Sequence, residues 1–73
     1  MSGDPLSVSI GARALDGLAM RMAAIAHNLA NAGSPRFQPV EVRFEEALRA
    51  AARQGRGALD SLRFGFVAGE SGG

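Results

Sequence analysis

Val8, Leu15, Met22 and Leu29 recur every seven residues, and Leu18, Ile25 and Ala32 form a second series offset from them by three. Apolar residues repeating in this way fall on one narrow stripe of an α-helix, the a and d positions of a heptad. The end signals fit a helix from about Pro5 to Asn31. Asp4 can accept hydrogen bonds from unpaired amides of the first turn, and Pro5 is tolerated at the first helical position. Past Asn31, Gly33 is expected to take the left-handed conformation that ends helices, and Pro35 forbids continuation. Such a helix is roughly 40 Å long. Gly11 falls on a d position and Gly17 off the seam, each weakening the helix by about 1 kcal/mol relative to alanine.

A connector follows over residues 32–42, where Gly33, Pro35 and Pro39 favour extended backbone and Phe37 is the one aromatic anchor. A shorter second helix is expected from about Phe44 to Arg53, with Phe44, Ala47, Leu48 and Ala51 on one face. Glu45 and Glu46 lie near its positive end and Arg49 and Arg53 near its negative end, as the macrodipole favours. After Gly55 glycine becomes frequent. The alternating Leu62, Phe64 and Phe66 could form a short extended segment, but it has no evident strand partner, so residues 55–73 are expected to be a flexible tail or to dock on a partner. The fold class expected is all-α: a long amphipathic heptad helix, a Pro/Gly-containing elbow, a short second helix and a glycine-rich mobile tail. The second helix is too short to cover the whole seam, so Val8, Leu15, Leu18, Met22, Ile25 and Leu29 are read as an assembly seam, with Phe44 and Leu48 packing the second helix.

Composition sharpens this reading. At 73 residues the chain is one small domain, and a chain of that size buries only about 60% of its unfolded surface. It contains no cysteine, which removes disulfides, and a single histidine, His27, cannot build a zinc site. Association is the remaining support for so small a core. The basic residues are all arginine, interspersed with acidic ones for a net charge of +1, a distribution that disfavours nucleic-acid binding. Arg13, Asp16 and Arg21 interrupt the apolar run that a signal peptide or membrane span requires. No catalytic constellation is seen: Glu45 and Glu46 point in different directions on a helix, and His27 has neither cysteine nor a second histidine to work with. The chain is therefore expected not to be an enzyme, with no cofactor, no metal and no membrane insertion.

The most specific stretch is Asn28-Leu29-Ala30-Asn31-Ala32-Gly33-Ser34-Pro35-Arg36-Phe37. Asn28 and Asn31 sit at the helix end, where side-chain amides can bond frayed carbonyls and pin the loop. This passage resembles the N-terminal signature of the flagellar rod, hook and hook-associated axial proteins. In that signature a helix ends in Asn-(Ile/Leu)-Ala-Asn, followed by a small-residue pair, Thr/Ser-Pro-Gly and an aromatic. Asn28, Leu29, Ala30, Asn31, Ser34, Pro35 and Phe37 match it. The run Val42-Arg43-Phe44-Glu45-Glu46-Ala47-Leu48 resembles the Val-Asp-Phe-Glu-x-Ala-Leu of the proximal rod branch. Arg36 stands in place of the pattern's glycine and Arg43 in place of the aspartate that would cap the second helix. No counterpart of the family's C-terminal helix follows Gly55, so the chain reads as a fragment or a naturally short member in which residues 1–54 form the rod-protein N-terminal region.

The resemblance implies a structural subunit of the proximal rod of the bacterial flagellar basal body, needed for flagellum assembly and motility. It would be exported to the periplasmic rod by the type III apparatus without a cleaved signal. Its implied partners are other rod proteins and the inner-membrane ring/rod adaptor, together with copies of itself. The elbow residues Asn28, Asn31, Ser34, Pro35 and Phe37 would set how the connector leaves the helix. The alternative is a small helical adaptor or regulator that uses the same seam to bind a single partner protein.

Overall fold

The computed structural model describes residues 3–69. Helix α1 spans Pro5–Asn31, strand β1 Val40–Glu41, helix α2 Glu45–Gln54, helix α3 Arg56–Ser61 and strand β2 Val67–Ala68. The chain is mostly helical, with a small antiparallel sheet in which Val40 pairs with Ala68 and Glu41 with Val67. All-α is thus an approximation to the fold.

The start of α1 follows from its cap. Asp4 is extended, Pro5 opens the helix, and the Asp4 carboxylate accepts from the Ser7 amide at 3.0 Å and from the Ser7 hydroxyl at 2.7 Å. The amide bond first, then the hydroxyl bond, holds the Asp4 carboxyl below its ordinary range. At the other end Gly33 does not adopt positive φ, contrary to expectation; Arg36 does, at φ 64°. The Phe37 amide donates to the Ser34 carbonyl at 3.2 Å, closing a turn with Pro35 and Arg36 at its centre. A left-handed residue after proline in such a turn is the type II arrangement, which favours glycine at that position. Arg36→Gly should therefore stabilise the fold by about 1 kcal/mol through removal of the left-handed penalty, read as a raised midpoint in urea unfolding.

Helix α2 begins one residue later than expected. Its N-cap is Phe44, whose ring has no acceptor to offer the first-turn amides and is instead buried against α1. Arg43 lies outside the helix and pairs with Glu41, so an aspartate at that position would not be the cap. Gly55, at φ 112°, both ends α2 and starts α3: its amide donates to the Ala51 carbonyl and its carbonyl accepts from Leu59. A side chain at that φ would be strained.

The flexible tail expected from Gly55 onward is corrected over residues 55–69; residues 70–73 lie outside those described. Leu59 of α3 is fully buried. Phe64 packs on the cluster formed by Ala24, Val42 and Phe44, together with Met20, Val40 and Leu48. The chain then returns alongside the connector, where the paired residues are Val67 and Ala68 of β2, against β1, and not the alternating Leu62, Phe64 and Phe66 that precede them. Ser9 ties α1 to α3 by donating to Asp60 at 3.0 Å. All of these elements lie along one side of α1, giving an elongated body of 49 × 18 × 17 Å.

Candidate functional site

Two faces of α1 divide its work. The inner face carries the buried Gly17 and Ala24, where α2, α3 and the connector approach. Gly17 is a contact surface: a Cβ built there would lie 2.4 Å from Cγ of Phe44. Phe44 meets Phe64 edge-on at a ring separation of 5.7 Å, and the Arg21 guanidinium covers its face at 4.5 Å. Arg21 also donates to the Val42 carbonyl at 3.1 Å and to Glu45 at 2.9 Å. That bond to Arg21 is the main reason the Glu45 carboxyl is held below its usual range, and it raises the Arg21 pKa in turn. Phe44 and Leu48, expected to pack the second helix, do so here on the inner side of α1.

The outer face is the heptad seam. Val8, Leu15, Leu18, Met22, Ile25 and Leu29 are all exposed, from 49% for Leu18 to 78% for Leu29. Exposed Ala19, Ala23, Ala26 and Ala30 flank them. From Leu18 to Ala30 the stripe and its alanine flank carry no charged side chain, and Arg21 borders the stripe on the other flank; nearer the N-terminus Asp16 is paired with Arg13 at 2.9 Å. Scattered exposed apolar residues are ordinary in proteins, but a continuous stripe of this length marks an interaction surface.

At the elbow Asn28 works as a substitute strand. Its side-chain oxygen accepts from the Val40 amide and its Nδ2 donates to the Val40 carbonyl, both at 2.8 Å. The connector is thereby bonded to α1 on one edge and to β2 on the other. Asn31 instead bonds the frayed His27 carbonyl at 2.9 Å, the role anticipated for the amides at the helix end. Ser34 and Pro35 form the turn, and the Phe37 ring lies 5.8 Å from His27, which also meets Phe66 at 5.9 Å. Removing Asn28 leaves both Val40 groups without their partner in a partly buried position. Asn28→Ala should cost about 1.5 kcal/mol, and amide exchange of Val40 should accelerate more than that of α2.

Gly17, Ala24, Arg21, Val42 and Leu59 complete this arrangement without having been singled out as site residues in the sequence. The available signal was Gly17 and Ala24, two small residues seven apart on the face opposite the seam. Among the described residues no group of three or more His, Cys, Asp or Glu side chains could hold a metal ion, and no helix is long and apolar enough to cross a membrane. No protein-family model, curated protein or solved structure matches the chain.

Proposed function

We propose that this chain is a structural assembly subunit of the proximal flagellar rod, joined through the outer face of α1 to other rod proteins, to the inner-membrane ring/rod adaptor or to copies of itself. The observation that carries the proposal is the apolar stripe of α1, left exposed although α2, α3 and the connector pack along the opposite face. An apolar surface so arranged is covered by association. The resemblance of residues 28–37 and 42–48 to axial proteins supports this particular assembly. In this reading the Asn28–Val40 clamp fixes the body at a set angle to the stripe, so that each subunit presents both in one geometry.

Basal bodies purified from a flagellated bacterium expressing the chain with an epitope tag test this reading. The chain should remain with the rod through detergent and salt washes. Absence from the rod, with recovery in a one-to-one complex with a single soluble protein, would replace the subunit reading with the adaptor one.

A further inference from the structure

The outer face of α1 is complementary in size to itself when reversed. Let two copies of α1 run antiparallel about a two-fold axis near residue 20, so that each a position lies beside a d position of the copy. Leu15 then faces Ile25, Leu18 faces Met22, Val8 faces Ala32, and Leu29 faces Gly11. The last pairing is the informative one. Leu29 is the most exposed of the large apolar residues on the helix, and the space beside Gly11 is empty within 4 Å of where a Cβ would stand. A parallel pair in register would set Gly11 against Gly11 and leave a void between the helices, which close packing disfavours.

The flanks agree with the antiparallel arrangement. In it one flank of each helix meets the same flank of the copy, bringing Ala19 to Ala19 and Ala12 to Ala26. Alanine along that line lets the two backbones approach closely, and nothing charged is buried there. On the other flank Ala14 meets Asn28, and Arg21 meets Arg21 with its charge already compensated by Glu45. The exposed parts of Val8, Leu15, Leu18, Met22, Ile25 and Leu29 offer roughly 700 Å² per copy, close to the standard area per partner of a stable interface. A stripe with no charges to match a foreign surface, and with its own large residue opposite its own gap, selects a second copy of this chain as its occupant.

We infer that the free protein is an antiparallel dimer in which the outer face of α1 packs on itself, Leu29 filling the space at Gly11 of the copy. This rests on the reading of that face as an assembly surface and adds that the surface is covered by a second copy outside the larger assembly. Such a dimer is closed by its two-fold axis, so it must open before a subunit joins a growing structure.

The chain has no native cysteine, so single cysteines at the exposed Ala19 and Ala26 report the arrangement cleanly. Antiparallel packing places the two Ala19 positions together, but separates the two Ala26 positions by roughly 20 Å along the axis. Under mild oxidation the Ala19→Cys protein should form a disulfide-linked dimer about tenfold faster than Ala26→Cys, because bridging needs Cβ atoms within about 4.5 Å. Sedimentation of the unmodified full chain should give twice the monomer mass at tens of micromolar. Equal rates for the two variants would overturn the antiparallel register, and a monomer at that concentration would overturn the second copy as occupant. Incorporation of Leu18→Glu into basal bodies separates these failures from that of the underlying reading. If the variant is excluded from rods while the unmodified chain is a monomer, only the dimer is lost; if it still assembles, the face itself is not an assembly surface.

Discussion

Gly17→Ala should destabilise the fold by about 2 kcal/mol or more, although alanine is the better helix former by about 1 kcal/mol. The two effects oppose each other, and geometry decides between them. The added methyl would stand 2.4, 2.5 and 2.8 Å from three carbons of the Phe44 ring, well inside van der Waals contact. The ring cannot withdraw freely, since Phe64 meets it edge-on and Arg21 covers a face. Relief therefore requires α1 to separate from the start of α2. That movement would disturb the Arg21 bonds to Val42 and Glu45 and expose Phe44, now 6% accessible. Chemical unfolding of the variant should show a lowered midpoint, and Gly17→Ala combined with Phe44→Leu should recover part of the loss. Increased stability in the single variant would show that Phe44 does not sit on Gly17.

The position of that contact explains how much the sequence discloses. The limits of α1 are legible because Asp4 and Pro5 act locally, and Pro35 does so at the far end; the helix runs over Pro5–Asn31 as its pattern predicts. The apolar stripe is legible because its residues are large. Its partner face is not, since Gly17 and Ala24 contribute through smallness, which hydrophobic periodicity does not weigh. Likewise the glycines after Gly55 conceal α3 and β2. Leu59 is buried once α3 lies against α1 and α2, and Val67 pairs with a strand more than twenty residues earlier. Arg43 occupies the position where the sequence pattern places a cap, because it precedes Phe44, yet the helix starts one residue later and Phe44 itself is the N-cap. At the elbow the sequence identifies Asn28 as a pin but not its target, Val40, which depends on how the connector folds back.

Leu18→Glu should leave the isolated domain folded while abolishing its assembly. Leu18 is 49% exposed and lies outside the buried cluster, so in the free chain the substitution is a surface change worth at most about 0.5 kcal/mol. In an assembled helix pair the same position is covered by apolar side chains, where an unpaired carboxylate costs several kcal/mol. A loss of about 4 kcal/mol corresponds to nearly a thousandfold weaker association. Circular dichroism of the variant should match that of the unmodified chain at low concentration, while under the rod-subunit proposal cells relying on it should lack complete rods and motility. Leu29→Glu should act similarly, since Leu29 is 78% exposed. Normal swimming with either variant would remove the outer face of α1 from the assembly mechanism.

The one-sided packing of α1 also has a thermodynamic consequence for any partner it meets. A lone heptad helix usually folds as it binds and spends part of its contact energy on ordering its backbone. Here α2, α3 and β1 already hold the inner face along the length of the helix, through Phe44 at Gly17, Asn28 at Val40 and Ser9 at Asp60. The outer stripe is preorganised before contact, and association has only side-chain rotamers left to order. The heat-capacity change on binding should then scale with the interface alone, without the additional contribution of coil becoming helix.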